Sequence, residues 1–435
     1  MKKNFSLSRI AIALTMCSSF STVQAQSATE VELMHRLDQL AGELNKVKAE
    51  LSELQHSRTA TVANGQASVS GPVALAQGAP TAAAAAAEPT TVIGGYAELN
   101  YNRPTRQSQN AQADVRRLVL AVQHRFDDKT KIVTELEVEH AIASASDRGE
   151  VAVEQAYVER QISPNWAVRG GLFLMPMGLL NENHEPTAFF GVERNFVETA
   201  IIPSTWREGG VQAVGSFDNG ITVQGGIATS FDLNKWDAAS TDGRLSPLGS
   251  IHQELAQARA RDLAFFGAVN WRGIPGLQLG GGLFSGQATH KQAAGDARIL
   301  LWDVHARWTP GRWDLSSVYS RGSISNTATL NAPLVGNATL IPNRFDGWYA
   351  QAGYKLWEHD TYRLVPFARW EQFNTARSFA DIGQGLTPAA TPTERVFTFG
   401  ANFQITPGVV VKADVQRFRA NRDSDRVNLG LGWSF

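Results

Sequence analysis

The stretch RVNLGLGWSF at residues 426–435 alternates strictly between two kinds of side chain. Apolar residues take every second place from Val427 to Phe435, and small or polar residues fill the places between them. A period of two is typical of a β-strand, whose successive side chains point to opposite faces. Two interpretations fit this segment: a half-buried strand of a soluble sandwich, or a strand in a membrane barrel with lipid on one face, water on the other and aromatic residues at the interface.

The N-terminal residues 1–25 predict a cleaved secretory signal peptide. A basic start (MKK) precedes the short apolar core IAIALTMCSSF, and VQA at 23–25 has the small-x-small pattern of a cleavage site. A membrane anchor is the alternative, but this apolar core is too short to span a bilayer. A lipoprotein attached at Cys17 is a further alternative. Because Cys17 is the only cysteine, we expect a mature, exported envelope protein without disulfides.

Residues 26–56 predict a coiled-coil helix. Apolar residues recur at alternating spacings of four and three, as in a heptad seam: Leu33, Leu37, Leu40, Leu44, Val47, Leu51 and Leu54. A helix of this length is marginal alone in water, so we expect it to self-associate. An amphipathic helix lying on its own domain is the alternative. Residues 57–90, rich in Ala, Gly, Ser and Pro, predict a flexible linker.

Residues 91–435 contain sixteen short alternating stretches, and the connections between them carry the decisive information. Tight turns such as DDKT (127–130), DNG (218–220) and TPG (406–408) alternate with longer loops to the end of the chain. Outer-membrane barrels have this arrangement, with short periplasmic turns and longer external loops. We therefore predict an all-β fold: a 16-stranded antiparallel transmembrane β-barrel with an N-terminal coiled-coil helix in the periplasm.

The two faces of the predicted strands differ in polarity. In the third one, Ile132, Leu136 and Val138 share one face, and glutamates share the other. A charge near mid-strand that faced lipid would cost about 2–4 kcal/mol for Arg or Lys, so the polar face is expected to point inward. Sixteen strands enclose a space too wide to fill with their own side chains, which predicts a water-filled channel.

The long loop at 175–209 is expected to narrow that channel. It mixes charged residues with large apolar ones such as Phe189, Ile201 and Trp206, which suits a loop packed on the inner wall. An ordinary ordered surface loop is the alternative.

Fixed positive charge in the lumen would attract anions. The candidates on lumen faces are Arg117, Arg125, Lys131, Arg169, Lys355, Arg369 and Lys412, and those on the loop are Arg194 and Arg207. Each could instead be paired with a glutamate and hidden from solutes. Glu135, Glu137 and Glu139 are the candidate partners and are further candidates for the pore lining.

Several stretches resemble the phosphate-selective porin O/P family: GLFLMPMGLLNENHE (171–185), IIPSTWREGGV (201–211) and LVPFARWE (364–371). The resemblance implies sixteen-stranded trimeric outer-membrane porins, whose best-known members line the pore with Arg and Lys and select phosphate-like anions. This chain departs from that pattern, since its formal net charge is −1 and its third strand presents a row of Glu.

The predicted function is a homotrimeric outer-membrane porin for small hydrophilic solutes with a mild preference for anions, and the family resemblance implies phosphate among them. A structural tether that binds the cell wall through the coiled coil, with the barrel as its anchor, is the main alternative, and a barrel enzyme is a third. No enzyme motif, cofactor or metal site is predicted, because GGG at 280–282 lies within a strand and the nine His show no i, i+4 pair. The charge balance excludes a strongly basic nucleic-acid binder.

Overall fold

A computed structural model of the protein describes residues 90–147, 149–293 and 295–435. The predicted signal peptide (1–25), the coiled coil (26–56) and the linker (57–90), apart from Thr90, lie outside the described residues.

The described residues form seventeen β-strands in a single antiparallel sheet. The strands are β1 (Thr90–Pro104), β2 (Gln112–Arg125), β3 (Thr130–Glu139), β4 (Glu150–Ser163), β5 (Trp166–Leu174), β6 (Arg207–Ser216), β7 (Ile221–Thr229), β8 (Leu263–Ile274), β9 (Leu277–Gln287), β10 (Arg298–Trp308), β11 (Trp313–Ile324), β12 (Arg344–Tyr354), β13 (Trp357–His359), β14 (Tyr362–Ser378), β15 (Glu394–Thr406), β16 (Val409–Phe418) and β17 (Arg426–Ser434).

The sheet closes into a barrel because β1 pairs with β2 on one side and with β17 on the other. In the closing pair, Tyr96 lies opposite Ser434 and Pro104 lies opposite Arg426. The three-residue β13 continues β12 after a two-residue break, and both pair with β14. They share one position in the wall, so sixteen strands surround the interior. The predicted sixteen-stranded antiparallel barrel is confirmed.

Short turns and long loops alternate around the barrel, so we refer to its two ends as the turn end and the loop end. The long connections are loop 1 (105–111), loop 2 (140–149), loop 3 (175–206), loop 4 (230–262), loop 5 (288–297), loop 6 (325–343), loop 7 (379–393) and loop 8 (419–425).

The helical elements within the described chain are short. They are α1 (Asp242–Leu245), α2 (Thr327–Asn331), a π-helical turn (Val197–Ile201) and 3₁₀ turns at Ser108–Asn110, Leu233–Lys235, Gly249–Ile251, Ala332–Leu334 and Arg422–Ser424. None of the helices in this part of the chain is long and apolar enough to cross a membrane.

The barrel has apolar side chains on its outer surface and charged or polar side chains on its inner surface, the reverse of a soluble protein. In β3, Leu136 points outward and is 42% exposed, whereas Glu135 and Glu137 on either side of it are buried. In β17, Leu429 is 51% exposed while Asn428 is fully buried. A soluble protein avoids such a continuous exposed apolar surface, and lipid favours it, so this is the surface of a membrane-spanning barrel.

Loops 3 and 4 fill part of the interior with apolar side chains. We call this set the apolar core; its largest members are Phe173, Met175, Met177, Ile201, Ile202, Trp206, Phe231, Leu248, Ile251, Phe284 and Phe345. Trp206 lies at its centre with no exposed surface, and its ring centroid is 4.9 Å from that of Phe231 and 4.8 Å from that of Phe284. Much of the barrel interior on the side of β5 and β8 to β12 is therefore packed and dry.

Replacement of Trp206 by alanine should destabilise the folded barrel by about 3–5 kcal/mol, because it removes a fully buried indole and leaves a cavity. The measurement is the free energy of urea-induced unfolding in lipid vesicles. Leu386→Ala is the control, since Leu386 lies in loop 7, outside the membrane-spanning strands, and is 50% exposed, so its loss should cost less than about 1 kcal/mol. Equal losses in the two variants would contradict the central role of Trp206.

Candidate functional site

Loop 3 lies inside the barrel and is hydrogen-bonded to the inner wall. The backbone N–H of Val192 donates to Asp414 Oδ2 of β16 over 2.6 Å. The backbone N–H of Phe196 donates to Glu371 Oε1 of β14 over 2.7 Å. Loop 3 leaves the wall at β5, and β14 lies on the opposite side of the closed sheet with β16 two strands beyond it, so the loop crosses the interior and is attached on its far side.

Glu198 holds loop 3 in its folded conformation. Its Oε1 atom accepts hydrogen bonds from the backbone N–H groups of Leu179 and Leu180, at 2.6 and 2.7 Å. Its Oε2 atom accepts from Asn195 Nδ2 at 2.8 Å and from the Tyr349 hydroxyl of β12 at 3.0 Å. Burial raises the pKa of Glu198, and these four donors oppose that rise because they favour the charged carboxylate. One side chain thus joins both halves of the loop to the wall.

A second attachment joins loop 3 to β4. His184 Nε2 lies 3.0 Å from Glu154 Oε1, and both side chains are buried. Burial alone would lower the pKa of His184, but the Glu154 carboxylate outweighs it and raises that pKa. The Tyr96 ring packs edge-on against the imidazole, with 5.7 Å between centroids. The pair therefore behaves as a buried ion pair between loop and wall.

The opposite side of the interior from the apolar core contains a charged cavity of about 420 Å³, which we call the loop-end cavity. It lies between loop 3 and the loop-end halves of β1 to β4, with contributions from loop 4 and β17. Its arginines are Arg116, Arg117, Arg194, Arg207 and Arg426. Its glutamates are Glu98, Glu137, Glu139, Glu150, Glu193 and Glu254.

Arg117 is the centre of an ion-pair cluster on the wall of this cavity. Its Nη1 atom lies 2.8 Å from Glu137 Oε1 and its Nη2 atom lies 3.7 Å from Glu139 Oε1. Its Nε atom lies 3.6 Å from Glu98 Oε1, which Arg194 of loop 3 approaches to 4.0 Å. The guanidinium of Arg117 therefore faces three carboxylates and supplies little unbalanced positive charge.

A smaller cavity of about 70 Å³, the turn-end cavity, lies beside the turn-end halves of β1 to β4. Its charged lining consists of Lys131, Glu135, Glu182, His184 and Glu185. Burial raises the pKa of Glu185, so its negative charge grows as the pH rises. Loop 3 borders both cavities, and β1 to β4 form the common wall.

Two further cations from the sequence analysis share a carboxylate beside the turn-end cavity. Arg169 Nε lies 2.7 Å from Glu159 Oε2, and Lys131 Nζ lies 3.0 Å from Glu159 Oε1. Arg169 also lies over the Tyr157 ring, 5.2 Å from its centroid. Both cations are therefore at least partly neutralised.

Arg369 and Lys412 lie on the inner wall beneath loop 3. Arg369 Nε is 2.9 Å from Glu371 Oε2, and its Nη1 atom donates to the Phe190 carbonyl. Lys412 is buried with its Nζ atom 3.5 Å from the centroid of the Phe189 ring, a cation–π arrangement. Both side chains attach the loop to the wall, and solvent reaches neither of them.

Three of the predicted positions differ from expectation. Arg207 is the first residue of β6 rather than part of the loop, and it pairs with Glu254 of loop 4 at 3.1 Å. Arg125 is exposed at the last position of β2, and Lys355 lies in the break between β12 and β13. Arg125 and Lys355 line neither of the two cavities. Strict alternation along a strand places a residue on a face but gives its depth in the barrel only approximately.

The structure adds Arg116 and Glu154, which alternation along the strands does not select. The β1–β2 register shifts next to Arg117, and the β3–β4 register shifts between Glu135 and Leu136. In each shift one strand contains an extra residue, namely Arg116 in β2 and Glu154 in β4, so two successive side chains point inward. Glu98 was also missed, although its alternation with Tyr96 and Asn100 in YAELNY is visible in the sequence.

Comparisons with known proteins agree with the architecture. No protein-family model matches the chain. An uncharacterised protein of Aquifex aeolicus (strain VF5) is 29% identical over 354 residues, which is 79% of each chain. Salmonella typhi OmpF, solved with daunomycin, superposes with a TM-score of 0.55 at 13% identity, covering 79% of this chain and 97% of that one. An anion-selective porin from Comamonas acidovorans gives 0.50 at 11% identity, covering 80% and 100%.

These similarities establish the fold class: the chain has the fold of the sixteen-stranded outer-membrane porins. At such low identity they define the architecture alone. Membership of the phosphate-selective porin O/P family stays a prediction from the sequence motifs.

Glu198→Ala should loosen loop 3 within an intact barrel, because two backbone N–H groups and the Tyr349 hydroxyl lose their acceptor at about 1–3 kcal/mol each. Hydrogen–deuterium exchange measured by mass spectrometry should show amide exchange in 175–206 faster by at least about tenfold. Glu358→Ala, which removes an exposed glutamate far from the loop, is the control and should leave that exchange unchanged. Full protection of the loop in Glu198→Ala would contradict its anchoring role.

Proposed function

We propose that the protein is a porin that lets small hydrophilic solutes and ions diffuse passively across the outer membrane. The observation that carries this proposal is the distribution of charge inside the barrel. The side of the interior formed by β1 to β4 has charged walls and two cavities, whereas the outer face of the same strands is apolar.

A charge that is buried without solvation is costly. The charged side chains beside the two cavities are therefore favourable only if water reaches them. The loop-end cavity, with eleven Arg and Glu residues in its lining, is large enough for many water molecules. Loop 3 limits its width, and the apolar core fills much of the interior on the side of β5 and β8 to β12. The path for solutes is therefore a lateral passage between loop 3 and the wall of β1 to β4.

The finer features belong to the same proposal and rest on the sequence. The predicted signal peptide (1–25) supports export to a Gram-negative outer membrane, and the heptads in 26–56 support self-association through a periplasmic coiled coil. The number of three subunits, joined also by the barrel walls, rests on the resemblance to the phosphate-selective porin O/P family. The protein acts without enzymatic turnover or a cofactor. The preference for anions, phosphate among them, stays a prediction from the sequence. The ion pairs of four arginines weigh against it: Arg117, Arg169, Arg207 and Arg369.

Ala152→Trp should lower the single-channel conductance in planar lipid bilayers to roughly half or less, because an indole would fill much of the passage. Ala152 lines the loop-end cavity. Ala156→Trp is the matched control, since Ala156 lies on the same strand but is exposed on the outer face of the barrel, and its conductance should equal that of the unmodified protein.

Folded wild-type protein that gives no conductance steps would overturn the proposed function. Equal conductance in Ala152→Trp and in the control would instead place the solute path elsewhere in the barrel.

A further inference from the structure

The two cavities contain more negative than positive side chains. Nine glutamates line them, against six arginines and lysines. Selectivity depends on which of these charges are already balanced by a neighbour, because a tight ion pair exerts little field on a passing ion. The ion pairs that each side chain forms therefore decide the sign of the charge that a passing ion experiences in the two cavities.

Of the six cations, Arg117, Arg194, Arg207 and Lys131 have a carboxylate oxygen within 4.0 Å, whereas Arg116 and Arg426 have none among the described residues. Arg117 faces three carboxylates, as described above, and Arg207 pairs with Glu254. Lys131 pairs with Glu159, which is not itself part of either lining. The turn-end cavity thereby loses the effect of its one lysine, whereas Glu135 and Glu185 of its lining belong to no ion pair with Lys or Arg of the described residues.

Several negative charges have no such partner. Within the described part of the chain, no Lys or Arg nitrogen lies within 4.0 Å of the carboxylates of Glu135, Glu150, Glu185 and Glu193. Glu135 accepts a hydrogen bond from Gln155 at 2.6 Å, and Glu193 accepts one from Asn102 at 2.7 Å. These neutral donors do not themselves balance a charge. Burial would raise the pKa of Glu193, but the more distant Arg116 and Arg426 outweigh it and lower that pKa, so they balance part of its charge.

From this balance we propose that the passage selects cations over anions. Unbalanced carboxylates in a narrow passage with low-dielectric walls raise the local concentration of cations and lower that of anions. This inference rests on the proposed channel function and reverses the anion preference predicted from the sequence.

The test is the reversal potential of the full-length protein in planar bilayers separating two KCl concentrations at neutral pH. The expected permeability ratio of K⁺ to Cl⁻ is at least about 2. Conducting protein with a ratio of 1 or less would overturn the inference and leave the channel function standing. Absence of any conductance would instead refute the channel function.

The double variant Glu150→Gln and Glu185→Gln locates the effect. One substitution lies in each cavity, and neither carboxylate belongs to an ion pair of the described residues, so folding should be preserved; circular dichroism checks this. The amount by which the permeability ratio of K⁺ to Cl⁻ exceeds 1 should fall by about half. Asp381→Asn in loop 7 is the control, because it removes a negative charge outside both cavities and keeps the Oδ1 acceptor for Gly383 and Thr387. An unchanged ratio in the folded double variant, or an equal fall in the control, would overturn the assignment to these cavities.

Discussion

A barrel of sixteen strands encloses more space than its own side chains can fill, and every other feature of the interior follows from this constraint. Loop 3 folds into the barrel and fills part of this space. A loop can remain there only if its backbone groups find partners, because an unsatisfied amide away from water is costly. Side chains of the wall, such as Glu371 and Asp414, accept hydrogen bonds from the loop backbone, and Glu198 accepts hydrogen bonds from within the loop and from Tyr349.

Loop 3 divides the interior into two halves with different physical roles. On one side, Trp206 and its aromatic neighbours form a dry core that contributes the stability of a globular domain. On the other side, Arg117 and the glutamates around it keep the wall polar and leave room for solvent. Stability and permeation thus depend on largely separate residues, although Glu198 and His184 influence both because they position the loop between the halves.

The barrel itself was predictable from the sequence, because a period of two and the alternation of turns with loops are local properties of the chain. The number of strands and the inward face of β3 followed directly. The charged site was predictable only in part. Arg116 and Glu154 point inward because a strand contains an extra residue, and no single-strand pattern reveals such a register shift. The partners of Arg169 and Arg207 depend on strand register and on the path of loop 4, which are tertiary properties.

The attachment of loop 3 to distant strands also constrains the order in which the molecule assembles. Val192 bonds to a residue 222 positions further along the chain, and contacts of such sequence separation form slowly. If β1 paired with β17 before loop 3 bonded to β16, the closed barrel would have to open again for the loop to enter. Ring closure is therefore expected to be the last event of folding, with the strands wrapping around an insert that is already in place.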